Sequence, residues 1–199
     1  FVYDYLYPNP KRVMAFIDNH DTDRFLGNGK DSLMLKQALA LLLTVQRIPQ
    51  LYYGTEILMN GTKEVTDGNV RKDFPGGFPG DTRNAFTKEG RTRAENAMFN
   101  WLSRLLHWRQ GNETIVRGQQ TQFIPYKGIY VITRRWHRNT VMTILNGTSK
   151  EAVLEVSRYA EVLNDSQDLT RVQDIPTGRY YDLSKNLTLK PRQSLVLEF

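Results

Sequence analysis

The residues best suited to chemistry are Asn19, His20 and Asp21. They follow the apolar run Val13-Met14-Ala15-Phe16-Ile17 and turn it abruptly polar at Asp18. A buried strand that ends in such side chains presents them at the rim where parallel α/β barrels do their chemistry. A carboxylate fixed there stabilises positive charge developing in a transition state more than it stabilises the ground state. A neutral imidazole beside it can donate to a hydroxyl and fix that group's orientation. Asn19 would orient the strand end. Asp18 alternates to the other side of the strand and is expected to be structural. Asp23 and Arg24 are expected to form a salt bridge on the rim.

These residues need elements to hold them. Residues 12–17 read as a buried strand bounded by Pro10. Residues 31–45 read as a helix capped by Asp31 or Ser32, with Leu35, Ala38, Leu39, Leu42 and Val45 on a broad apolar face. Gln50-Leu51-Tyr52-Tyr53 reads as a second strand, and this order predicts two parallel strands with a right-handed crossover. A Gly/Pro-rich loop over 59–91 carries Phe74 and Phe78, and its length marks it as functional. Residues 92–109 form the next predicted helix, with Met98, Trp101, Leu102 and Leu105 on one side. After Gly111 come short strands at 123–124, 129–136, 140–145, 152–156, 180–181 and 194–199, separated by Lys127-Gly128, Asn146-Gly147 and Thr177-Gly178. That grammar predicts an antiparallel sandwich. The expected division is 1–112 and 113–199.

Composition narrows the classes. The net charge is +6, but it is spread evenly: 15 Lys+Arg face 12 Asp+Glu up to Asn112, and 12 face 9 after it. No concentrated basic stripe points to nucleic acid. There are no cysteines, so disulfides and thiolate metal sites are excluded. The longest apolar stretch, 38–45, is far too short for a membrane span. His107 and His137 have no partner at metal-ligand spacing. Five Asn-x-Ser/Thr sequons, at Asn60, Asn112, Asn146, Asn164 and Asn186, are read as chance. The chain opens Phe-Val-Tyr-Asp without Met or a visible signal peptide, as an excised piece would.

The Asn19-His20-Asp21 strand end, followed by Pro49-Gln50-Leu51-Tyr52-Tyr53-Gly54-Thr55-Glu56, resembles strands seven and eight of the α-amylase family of glycoside hydrolases. Within it the chain is similar to the neopullulanase and cyclomaltodextrinase group, which includes periplasmic starch-utilisation enzymes of bacteria. There a loop Asp-Pro-x-x-Arg follows strand eight; here Asp67-Gly68-Asn69-Val70-Arg71 keeps the Asp and Arg and has Gly for Pro. The resemblance implies an α/β-plus-β architecture: the C-terminal portion of a (β/α)8 barrel, strands seven and eight with flanking helices, then an antiparallel β-sandwich. It implies retaining hydrolysis of α-glucans such as maltooligosaccharides, pullulan or cyclodextrins, with a periplasmic or extracellular bacterial location.

Retention needs a nucleophilic carboxylate and a second carboxyl acting as acid and base. The resemblance places both upstream of Phe1, so the chain alone should be inactive. Asp21 matches the third carboxylate, which holds sugar hydroxyls and stabilises the transition state. His20 and Asn19 match its substrate-binding neighbours. Asp67 and Arg71 match an outer sugar-binding pair, or are an ordinary loop ion pair. Glu56 could support the site from behind. No cofactor or metal is expected in this stretch, and calcium belongs to the parent enzyme if anywhere. Two β/α units cannot close a barrel, so open strand edges would have to be hidden, self-association being one route. The alternative reading is a non-catalytic sugar-binding or structural module. Its mark would be an exposed aromatic platform on the sandwich, from Tyr126, Tyr130, Trp136 and Tyr180.

Overall fold

The structure is a computed structural model that describes residues 1, 3–163 and 168–199. The sequon at Asn164 lies outside the described residues. β1 (Met14–Ala15) runs parallel to β2 (Ile48–Pro49), with Met14 opposite Ile48 and Ala15 opposite Pro49. Between them α1 (Ser32–Thr44) starts as expected: the Asp31 carboxylate accepts from the Leu33 and Met34 N–H groups that the first turn leaves free.

Two expectations here are corrected. The second strand lies earlier than predicted, because the ladder is made by Ile48 N–H to Val13 O and Gln50 N–H to Ala15 O, at 3.0 and 2.8 Å. Pro49 is tolerated because its missing donor falls on the side away from β1. The first strand is not buried: Met14 and Phe16 are 55% and 43% exposed. Among the described residues no further strand pairs with β1 or β2, so these side chains have nothing to pack on.

The 59–91 segment includes α2 (Asp67–Val70), capped by the Thr66 hydroxyl. α3 (Arg93–Arg109) opens with a reciprocal capping box between Thr92 and Glu95 and buries Met98, Trp101, Leu102 and Leu105. The loop is pinned to α3 by Arg83, whose guanidinium donates to both Glu95 oxygens at 2.8 and 2.9 Å. α4 (Glu113–Arg117) follows, capped by the Asn112 side chain. It is too short to show helical periodicity in sequence.

Among the described residues eight strands follow: β3 (Gln119–Gln122), β4 (Ile129–Trp136), β5 (Asn139–Asn146), β6 (Ala152–Leu154), β7 (Val172–Asp174), β8 (Tyr180–Tyr181), β9 (Leu187–Leu189) and β10 (Ser194–Glu198), with α5 (Ala160–Leu163) after β6. Six form an antiparallel sheet in the order β3-β4-β5-β10-β7-β8, and β6 pairs with β9 separately. One sheet face packs Val131, Met142, Ile144 and Leu195 against Leu154, Tyr159 and Leu189. The other packs Val141, Leu145 and Val196 against Leu35, Leu39, Met98 and Leu105 of α1 and α3. With both faces covered, β5 is buried from Thr140 to Asn146. The strand predicted at 123–124 is instead the exit from β3, and Ile124 is 85% exposed.

The seam between sheet and helices is held by Arg134. It is fully buried and donates to Thr44 O at 3.1 Å, Ile115 O at 2.6 Å and Gly118 O at 2.8 Å. Burial, with Arg109 nearby, pulls its guanidinium down to about 10, so it stays charged at neutral pH.

Arg134→Met should therefore strip donors from the ends of α1 and α4 and cost about 3–5 kcal/mol in urea unfolding. Exposed Arg138→Met should stay within about 0.5 kcal/mol. The Glu95 carboxyl is held below the usual glutamate range by Arg83, with help from the Thr92 N–H. A depressed folded-state pKa gives stability that is present above the ordinary value and lost as pH falls through the folded one. Glu95→Gln should thus lose about 1 kcal/mol at neutral pH and show a flatter acid limb in a stability–pH profile.

Candidate functional site

The turn after β1 is shaped by its own side chains. Asn19 Oδ1 accepts from Asp21 N–H at 2.8 Å, and Asn19 N–H donates to Thr22 Oγ1 at 3.0 Å. Asp18 is buried, and its Oδ2 accepts from Phe25 N–H at 2.8 Å, closing the loop. Burial pushes the Asp18 carboxyl above its ordinary value.

This turn aims the Asp21 carboxylate at the end of α2. Arg71 Nη2 donates to Asp21 Oδ1 at 3.1 Å, and Arg71 Nε donates to His20 O at 3.0 Å. His20 Nε2 stands 3.2 Å from Asp21 Oδ2, so each carboxylate oxygen has a partner. Arg71 also reaches Asp67 Oδ2 at 3.5 Å, one helical turn back. Lys63 lies 3.3 Å from Asp67 Oδ1 and donates from Nζ to Asp21 O at 3.3 Å. The side chains of His20 and Asp21 are each 62% exposed. The structure thus gathers Asn19, His20, Asp21, Asp67 and Arg71 and adds Lys63. Lys63 was not singled out in sequence, although it stands four residues before Asp67, in the turn that leads into α2.

Glu56 is not brought to this cluster. It lines an apolar cavity with Leu51, Phe99, Leu102 and His107, on the α3 side of its turn. Arg24 departs further from expectation. It makes no rim salt bridge but is 1% exposed, donating from Nε to Val70 O at 2.9 Å and from Nη1 to Tyr53 O at 2.7 Å. Its guanidinium carbon sits 4.4 and 4.8 Å from the ring centres of Tyr52 and Tyr53. Carbonyls of two loops converge there and need donors, which draws the side chain inward. Asp23 accepts instead from Lys63 N–H at 2.6 Å.

Two sets of aromatic residues were expected as candidate stacking surfaces. Phe74 and Phe86 pack with centroids 4.5 Å apart, and Phe78 and Phe86 are exposed on a loop fixed by Asp81, which accepts from Gly76 and Phe78 N–H. The sheet aromatics do not gather into a platform. Trp136 and Tyr130 lie on β4, Tyr180 lies on the edge strand β8, and Arg158 and Arg171 cover Tyr126 and Tyr180 at 3.8 and 4.3 Å. Among the described residues no group of three or more His, Asp or Glu could hold a metal ion. Nor is any described helix long and apolar enough to cross a membrane.

Residues 120–198 match the Cyclo-malto-dextrinase C-terminal domain family. An alpha-amylase of Niallia circulans is 30% identical over 173 residues, covering 87% of this chain and 27% of that protein. A cyclomaltodextrin glucanotransferase of Geobacillus stearothermophilus is 33% identical over 136 residues, 68% of this chain and 17% of that protein. The chain therefore spans about a quarter or less of the length of these curated relatives. Among solved structures, the gamma-CGTase of alkalophilic Bacillus clarkii superposes over 100% of this chain and 28% of its own, with a TM-score of 0.71 and 19% identity. The alpha-amylase of Geobacillus thermoleovorans, solved with acarbose, covers 99% of this chain and 41% of its own, with a TM-score of 0.70 and 24% identity. At those identities the structures speak for the fold, while the sequence relatives and the domain match speak for descent. Together they identify the chain as a member of the α-amylase family.

Proposed function

We propose that Asp21 is the transition-state-stabilising carboxylate of a retaining α-glucan hydrolase, close to the neopullulanase and cyclomaltodextrinase group. In this reading residues 1–112 supply the last two strand–helix units of a (β/α)8 catalytic barrel, and 113–199 supply its C-terminal β domain. The observation that carries it is the Asp21 carboxylate in the turn that follows a parallel strand, fixed by Arg71 and flanked by His20. Such a group accepts hydrogen bonds from sugar hydroxyls beside the reacting carbon. Its charge helps more once that carbon turns oxocarbenium-like than before.

The flanking groups divide the work. His20 hydrogen-bonds the same sugar, and Asn19 holds the turn that carries them both. Asp67 and Arg71 sit one step outward, where a second sugar unit would lie. Glu56 takes no part, because it faces the α3 cavity. The chemistry assigned to these residues needs no cofactor. Substrates are α-1,4-linked maltooligosaccharides, pullulan or cyclodextrins. The nucleophile and general acid belong to strands outside this chain, so the chain alone does not turn over. The free edges of β1 and β2, with exposed Met14, Phe16 and Ile48, are where the remaining barrel or a second copy packs.

Reducing-sugar release from maltooligosaccharides tests this in four proteins: this chain and the full-length parent, each with and without Asp21→Asn. The chain should be silent. The parent should be active, and Asp21→Asn should lower its kcat by about 100-fold or more. Turnover by the chain, or an indifferent Asp21→Asn parent, contradicts the reading.

A further inference from the structure

We propose that Arg24 is the positioning residue of the Asp21 site: it seats the main chain that carries Arg71, and so sets where the Asp21 carboxylate points. Its catalytic consequence rests on the reading of Asp21 just given; its structural half does not.

Arg24 follows Asp21 by three residues, yet its side chain runs inward. Its Nε donates to Val70 O, next to Arg71, whose own guanidinium holds Asp21 Oδ1 and His20 O. Its Nη1 donates to Tyr53 O in the turn four residues after β2. Its backbone N–H donates to Gly61 O at 3.0 Å. One residue therefore touches the Asp21 turn, the 53–54 bend, the 61–62 crossing and α2. Those segments meet backbone to backbone. A Cβ on Gly61 would stand 2.2 Å from Asn69 O, and a Cβ on Gly27 would stand 2.2 Å from Gly61 O. With so little slack, the direction of Val70 O fixes the start of the Arg71 side chain.

The chemistry calls for arginine. A planar guanidinium can donate to two carbonyls in different directions while its face rests on Tyr52 and Tyr53. A lysine ammonium has neither the fork nor the flat face. Arg24 touches no substrate in this account. It acts only through Arg71 and the turn.

A double-mutant cycle in the full-length parent reads this. Arg24→Met should lower kcat/KM about 10- to 100-fold, mostly in kcat, and Arg24→Lys should not rescue it. In an Arg71→Met background, Arg24→Met should add less than about threefold. A core variant remote from the site, Leu39→Ala, should lower Tm comparably but leave kcat/KM of the folded enzyme within about threefold. Additive losses, or Arg24→Met no worse than Leu39→Ala, overturn the proposal. Amide exchange in this 199-residue chain provides a readout independent of activity. Arg24→Met should speed exchange across 67–71 by about tenfold or more, with Leu39→Ala giving no such local change. If the wild-type parent leaves glucans untouched while exchange still responds, the glucan reading falls and the positioning role stands. If exchange does not respond, the positioning role falls whatever the activity.

Discussion

Main-chain carbonyls that end up buried at the close of a helix or strand must find donors, and this constraint shapes both parts of the molecule. Arg134 meets it at the seam, gathering Thr44, Ile115 and Gly118 carbonyls beneath the sheet. Arg24 meets it under the rim, gathering those of Val70 and Tyr53. Neither guanidinium relies on a carboxylate for its hydrogen bonds. Each spends a fixed planar fork on carbonyls from separate segments, which makes it a joint between elements far apart in sequence. Arg134 fixes the C-terminal end of α1 against the sheet, and α1 is the crossover that sets β1 beside β2.

On that frame the exposed cluster acquires direction. Single ion pairs at such exposure contribute little to stability. Arg71 contacts Asp21, His20 O and Asp67 together, and Lys63 closes the other side. The value of this network lies in orientation: a carboxylate whose two oxygens are held by different partners keeps one heading. Electrostatic help to a cationic transition state depends on that heading being set before the reaction, and it grows when the site is closed from water.

Much of the frame was legible in the sequence, for identifiable reasons. α1 and α3 declare themselves through apolar periodicity, and α1 also through its cap at Asp31. β4 and β5 are long β-branched runs, and Lys127-Gly128, with φ of 49° and 76°, makes the tight turn that its glycine announced. β3 was missed because Gln119–Gln122 is wholly polar and earns its place only by pairing with β4. The run at 13–17 looked buried because apolar strands in parallel sheets usually are, yet beyond β2 no described strand flanks it. At the site, the Asn-His-Asp pattern and the Asp67–Arg71 spacing pointed to side chains that do meet. Arg24 was misjudged because a charge beside a rim motif reads as surface. Its burial follows from the Val70 and Tyr53 carbonyls and two tyrosine faces, which converge on it only in three dimensions.

In the proposed enzyme the Asp21 cluster faces a sugar. The most direct measurement is a crystal structure of the full-length parent, carrying an inactivating change at its nucleophile and soaked with maltotriose. A glucose unit should then lie with hydroxyls about 3 Å from the Asp21 carboxylate and from His20, while Arg71 keeps its contact with Asp21. A maltotriose bound in the catalytic cleft that leaves Asp21 and His20 untouched would contradict it.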